Sequence, residues 1–396
     1  RDDMKRTVTI ATIVALTGIA ALLLVVAGDA RTDEPTTSVI VQGKSIEAAA
    51  AAVRAVGGEI THELGIIRAV AADVTPTGLA DLKTSVLVSR VFANRTVEMS
   101  AYIFGSTTTP EYPYVVRAAG LHDDGIDGTG VTVAVLDTGI KSKGARGEYF
   151  PYLKNNTSGD LRILAQYDAL RDSEPNPTRN TDGNGHGTHV TSIIASSKPS
   201  TNWSWNGIAP NADLVIVKAF DDNGQGTYAD VIRGLDWVVQ NWNTYGIRVV
   251  NCSFSATPVS RYWEDPVNQA VMAVWQAGIV VVASAGNLGP DPMTIGVPGN
   301  VPYIITVGAM SDGASPAVSD DDYLASFSSS GPTTEGFVKP DMVAPGGHIL
   351  GLMSGQQQLA VEHPEFSFSN GYYVMSGTSQ AAAVTSGVVA LVLQVN

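Results

Sequence analysis

From Thr7 to Gly28 the chain carries no charged side chain and is dense in Val, Ile, Leu and Ala, directly after Met4-Lys5-Arg6. A basic stretch ahead of an apolar run is the pattern of an export signal, with Gly28-Asp29-Ala30 as a small-residue cleavage site. A bilayer-spanning helix needs about 20 residues, so the same run also fits a membrane anchor. Residues 1–30 therefore read as a cleaved signal peptide or a retained anchor, with a buried core helix as a third reading. Signal and anchor alike place everything downstream outside the cytoplasm. Arg1-Asp2-Asp3 reads as upstream reading frame rather than protein.

After a polar linker at 32–37 the period changes. Ser38-Val39-Ile40-Val41 reads as a strand. The Ala-rich stretch 46–56, followed by Gly57-Gly58, reads as a helix with a glycine stop. Two short strands follow around Leu64-Gly65, then a helix over 77–84 and further strand over 86–97. The order β-α-β-β-α-β is the ferredoxin-like split arrangement and predicts a small α+β domain at 31–105. Ser106-Thr107-Thr108-Thr109-Pro110 then reads as a linker. Downstream, β-branched runs at 131–136, 213–217, 247–251, 279–284 and 303–307 alternate with helical stretches such as 227–241 and 265–277. That alternation predicts an α/β fold over 111–396, a doubly wound and mainly parallel sheet.

Composition narrows the function. Hydrophobic residues are 44% of the 396 and charged residues 16%, which suits folded domains rather than a disordered polyelectrolyte. Of the net charge of −14, residues 111–396 contribute 14 basic and 27 acidic side chains, a surplus of −13. An acidic surface repels phosphate backbones, so a nucleic-acid partner is disfavoured. The single cysteine, Cys252, excludes an intramolecular disulfide framework and a multi-thiolate zinc site. It reads as a small buried hydrophobe rather than a reactive thiol.

Three motifs carry the candidate chemistry. The strand Val-Thr-Val-Ala-Val-Leu ends in Asp137-Thr138-Gly139, at the carboxyl end where α/β sheets place their sites. Asp-Gly-Asn-Gly-His186-Gly-Thr-His189 leads into an apolar helix, and Ser376-Gly377-Thr378-Ser379 opens another. Singly, each has a plain alternative: a helix cap, a pair of structural or metal-binding histidines, a capped helix start. No His-Glu-x-x-His zinc pattern occurs in the chain, so His189 reads as structural.

Together the motifs, in the order Asp…His…Ser, resemble the subtilisin-like (subtilase) serine peptidases. Further blocks extend the resemblance: Val280–Asn287, Ala325–Pro332 and Lys339–Gly346. The resemblance implies a subtilisin-like catalytic domain over 111–396, preceded by an inhibitory propeptide at 31–105. It implies Ser379 as nucleophile, His186 as base, Asp137 as its orienting partner, and Asn287 as a donor to the oxyanion. Ser253, Phe254 and Ser255 match one edge to which substrates add as a strand, and Gly224 lies in the opposite edge. Gly296 matches the floor of the pocket for the residue before the cleaved bond. Leu288 makes that pocket's rim apolar, which implies large apolar over basic side chains there.

The expected activity is therefore secreted serine endopeptidase, acting on proteins or peptides, made as a precursor that cuts itself between about Val97 and Tyr112. The propeptide would be its intramolecular inhibitor. A membrane enters only if the first segment is retained. The chemistry requires no cofactor. Acidic loops at Asp221-Asp222 and Asp320-Asp321-Asp322 offer ligands to a structural calcium, with solvated surface as the alternative. Two competing readings stand beside this one. They are a catalytically inactive truncated fragment or binding protein, and a metallohydrolase using His186, His189 and acids. Departures from the family pattern are Ala383 for a proline, Ser192 for a glycine, and an end at Asn396 that implies a C-terminally incomplete domain.

Overall fold

The computed structural model of the protein describes residues 34–99, 110–142, 150–202, 204–311, 320–369 and 371–396. The apolar run at 7–28 and most of the 106–110 linker lie outside the described residues. Among the described residues no helix is long and apolar enough to cross a membrane.

In the small unit, Ser45 caps α1 (Ile46–Ala55) by accepting from the Ala48 N–H, and Thr75 caps α2 (Pro76–Thr84) in the same way. Strands β1 (Thr37–Gly43), β2 (Glu59–Leu64), β3 (Ala69–Val74) and β4 (Val88–Ala93) pair antiparallel in the order β2-β3-β1-β4. Alternation along the strands gives the sheet two faces. Val39, Val41, Val70 and Val74 pack under Ala49 and Val53 of α1 and Leu82 of α2. Ile40, Ala69 and Ala71 point the other way, into the core of the larger unit. The expected single strand over 86–97 is corrected. β4 ends at Ala93, and the chain resumes as β5 (Thr96–Glu98) with its partner in the larger unit.

The larger unit holds β6 (Thr132–Asp137), β7 (Ile163–Asp168), β8 (Asp213–Lys218), β9 (Gln225–Thr227), β10 (Ile247–Cys252), β11 (Val280–Ser284) and β12 (Ile305–Ser311). Its main sheet runs β7-β8-β6-β10-β11-β12, all parallel, with an antiparallel strand at Tyr323–Leu324 and a further parallel strand at Met342–Pro345. Inward residues of successive strands split between two cores. Leu136, Val217 and Val250 pack with α4 (Tyr228–Tyr245) and α5 (Pro266–Gln276). Val135, Ile216 and Val249 pack instead with α3 (His186–Ala195) and α6 (Thr378–Gln394). The fold is thus doubly wound, as expected. From β6 the chain moves outward to β7 and β8, then returns to β10 on the other side. The order reverses between β6 and β10, and the carboxyl ends of strands flanking such a reversal form a crevice.

Unsatisfied N–H groups at the start of a helix explain why β5 leaves the small sheet. The Tyr228 N–H of α4 donates to the Arg95 carbonyl, and the Ala229 N–H donates to Asn94 Oδ1. These bonds hold residues 94–95 across the gap and deliver β5 to β9, where Thr96–Glu98 pairs antiparallel with Gln225–Thr227.

Candidate active site

β6 ends in Asp137, and its neighbour β10 runs on into Ser253. The Asp137 carboxylate faces His186 in the first turn of α3, with His186 Nδ1 2.9 and 3.0 Å from the two oxygens. Both side chains are buried. A carboxylate can only accept, so Nδ1 carries the proton and Nε2 is the basic nitrogen. Nε2 is buried and has no hydrogen-bond partner.

Two glycines let the Asp and His motifs meet. Gly139 has φ +111°, a left-handed conformation costly for other residues, and a Cβ at Gly187 would run into the Gly139 carbonyl. The Gly187 N–H donates to Thr138 Oγ1 at 2.8 Å, tying the start of α3 to the residue after Asp137.

Asp182 was not singled out by motif reading, yet it organises this junction. One oxygen accepts from Thr138 Oγ1 and the Gly185 N–H, the other from the N–H and hydroxyl of Thr188. The legible signal was an acid just before the first turn of a helix, where carboxylates satisfy open N–H groups.

Ser379 is the second residue of α6. Its hydroxyl donates to the Ser253 carbonyl at 2.9 Å, and the Ser253 hydroxyl donates back to the Ser379 carbonyl. The structure therefore joins Asp137 to His186 directly, while the Ser379 hydroxyl is turned to Ser253 rather than to His186 Nε2. Asn287 approaches the same helix start, its Oδ1 accepting from the Thr378 N–H and hydroxyl at 2.9 Å each. That fixes the amide so that its NH₂ end faces away from Thr378.

The remaining predicted residues surround this centre. Phe254 is buried against Phe220, with ring centroids 5.3 Å apart. A side chain at Gly296 would strike Ser255 Oγ, and one at Gly286 would come within 3.0 Å of it. Leu288 is 60% exposed beside Asn287. The Gly224 carbonyl accepts from the Met99 N–H at 3.1 Å, extending the β5–β9 pairing.

His189 sits fully buried, with Nε2 3.1 Å from the Tyr373 carbonyl and its ring against Gly351. Burial, and secondarily the neighbouring His186, push it down to about 3, so it is neutral at working pH. Ser192, which stands where the family pattern has glycine, is accommodated by donating to the His189 carbonyl and accepting from the Leu352 N–H. Burial pushes the Cys252 thiol up to about 12, which removes it as a nucleophile. Among the described residues no three His, Cys, Asp or Glu side chains gather in a metal-holding group. Asp221 instead caps its own turn and Asp222 pairs with Lys218.

The subtilase family pattern matches residues 128–396, more than half of the chain. The chain belongs to the subtilase family. It is 37% identical to the serine protease AprX of Bacillus subtilis strain 168 over 337 residues, covering 83% of this chain and 71% of that one. It is 32% identical to a thermostable alkaline protease of Halalkalibacterium halodurans over 334 residues, covering 84% and 74%. In fold it is similar to fervidolysin of Fervidobacterium pennivorans, a keratinolytic enzyme, with TM-score 0.68 at 23% identity. That superposition covers 93% of this chain and 56% of fervidolysin. As a subtilase the chain is a serine-type endopeptidase whose substrates are proteins or peptides.

Proposed function

We propose that the chain is the precursor of an exported endopeptidase in which Asp137, His186 and Ser379 form the triad and residues 31–105 inhibit it from within. The buried Asp137–His186 pair, whose basic Nε2 is left without a hydrogen-bond partner, is the observation that supports this most. A serine hydroxyl needs a base to attack a peptide carbonyl. For the reaction the Ser379 hydroxyl must turn from the Ser253 carbonyl to His186 Nε2, and catalytic hydrogen bonds commonly tighten when substrate arrives. His186 then accepts the hydroxyl proton as the Oγ–carbon bond forms, and returns it to the leaving amine as the peptide C–N bond breaks. Asp137 holds the imidazole and balances its charge. The Asn287 amide and the Ser379 backbone N–H, at the positive end of α6, stabilise the oxyanion.

Upstream substrate residues would lie along β9 as β5 does, adding a strand to an open edge. The same pairing supports the inhibitory role of the small unit, because β5 covers that edge. The side chain before the cleaved bond would enter between Gly286 and Gly296 under Leu288, favouring large apolar over basic groups. Export rests on the residue pattern at 1–30, and the bond that releases the small unit falls between about Val97 and Tyr112.

The test is a fluorophosphonate probe together with the amino-terminal sequence of the accumulated protein, wild type against Ser379→Ala. Labelling and trimming to a new amino terminus should both vanish in the variant. An identical amino terminus from both forms would exclude self-processing, and labelling that survives Ser379→Ala would exclude the assigned nucleophile.

A further inference from the structure

Arg95 lies two residues upstream of Val97, whose side chain is buried in the core that holds Phe220, Tyr228 and Phe254. Its guanidinium lies 5.3 Å from the centre of the Tyr228 ring. One nitrogen donates to the Tyr228 hydroxyl at 3.2 Å and another to the Thr257 carbonyl at 2.9 Å. Behind the ring, the Tyr228 hydroxyl donates to Asp265 Oδ2 at 3.2 Å. The other Asp265 oxygen accepts the Val267 and Asn268 N–H groups that open α5. Asp265 is 1% exposed, and among the described residues no basic side chain is within ion-pair distance of it. Burial pushes its carboxyl up; hydrogen bonds from Asn268, Tyr228 and Val267 oppose this, and Arg95 adds to them as the one cation that does. A buried carboxylate deprived of its compensating charge is costly, so departure of the small unit leaves a site that favours a new cation.

We infer that Tyr228, Asp265 and the Thr257 carbonyl form a specificity site for an arginine of the substrate, two residues upstream of the side chain that replaces Val97. This rests on the reading of β5 as an occupant of the substrate groove. Arginine fits better than lysine, because a planar guanidinium stacks on the ring while donating in two separate directions. The hydroxyl that receives it is polarised by the Asp265 carboxylate, which makes the contact charge-assisted although no direct ion pair forms. The enzyme would thus read peptides well upstream of the bond it cuts, and prefer an arginine two residues ahead of a small aliphatic.

The test uses an internally quenched peptide copying residues 93–104, with arginine or its neutral isostere citrulline at the position of Arg95. In the wild-type enzyme kcat/KM should favour arginine by about tenfold, the scale of one charge-assisted bond plus a cation–ring contact. Asp265→Asn, which keeps the oxygen that caps α5, should bring the ratio close to one. A ratio near one in wild type, or one unchanged by Asp265→Asn, overturns the inference.

A second arm needs no activity. In the full Ser379→Ala chain, hydrogen exchange at the Met99 amide should quicken in Arg95→Gln and in Asp265→Asn, and the double variant should add little to either single one. Independent, additive effects would show that the two residues are uncoupled and overturn the site. Coupled exchange with no arginine preference would confine the cradle to holding the small unit, which also overturns the substrate claim. Absence of both labelling and hydrolysis in wild type would instead count against the peptidase reading, while the exchange arm still decides the cradle.

Discussion

At His186 a buried polar atom without a partner costs stability, and in the proposed triad the orphaned Nε2 is the price of readiness for the serine proton. Asn287 shows the complementary case. Thr378 holds its oxygen, so the amide donor is aimed before any substrate arrives. Asn287→Ala should lower kcat by roughly 100- to 1000-fold, the range for loss of one such donor in a subtilisin, with a much smaller change in KM. Loss confined to KM would remove Asn287 from the oxyanion site. His189 makes a different prediction. Its folded value of about 3 lies below its usual 6.5, chiefly through burial, so unfolding takes up a proton whenever the pH lies between the two. Stability is therefore full above about pH 6.5 and falls progressively toward pH 3. Urea midpoints of wild type should follow that slope, and His189→Gln should flatten it; equal slopes would sink the assignment.

Elements meet at this site through contacts that leave no room for side chains. Gly187→Ala would force α3 off β6 at the Gly139 carbonyl, costing about 1–3 kcal/mol by overpacking and activity beyond that through a displaced His186. Thermal unfolding and kcat should both register it, and a fully active variant would contradict the packing. Ser255 works in the opposite sense. Its hydroxyl stands between Gly286 and Gly296, so Ser255→Gly should deepen the proposed pocket. Cleavage after Phe should then rise relative to Ala in a peptide panel, and an unchanged ratio would place the pocket elsewhere. Much of this scale was readable in advance. The β-branched runs stand as β6, β8, β10, β11 and β12, and the motifs fall at strand ends and helix starts as their glycines and small residues imply. The split of 86–97 was not readable, because it depends on N–H groups of α4 that lie more than 130 residues away. β7 also escaped: Gln166, which bonds the turn at 176–179, interrupts its apolar pattern. The turn of the Ser379 hydroxyl toward Ser253 is a rotamer, on which sequence carries no information.

Taken whole, the molecule is two units joined by one shared core and a rim of polar contacts. Ile40, Leu64, Ile67, Ala69 and Ala71 of the small unit pack with α4 and α5, a non-directional contact that varies little with pH. The rim does vary. His62 Nε2 lies 3.0 Å from Oδ1 of Asp230, whose other oxygen closes the capping box of α4, and Arg90 pairs with Glu264. Burial raises the Asp230 carboxyl, but bonds from His62 and Thr227 outweigh it and hold the group below its usual 3.8. A carboxyl lowered in the joined state stabilises that state fully above its usual value, and the contribution is lost as pH falls through the lowered one. Acid should therefore loosen the small unit only below about pH 4, leaving it clamped at neutral pH. His62→Gln removes one of the contacts that lowers Asp230, so the acid-dependent part of the clamp should shrink. Small-angle scattering of the full Ser379→Ala chain would follow this as an expansion on acidification. An acid-induced expansion of the same size with and without His62 would show that His62 does not hold the small unit through Asp230.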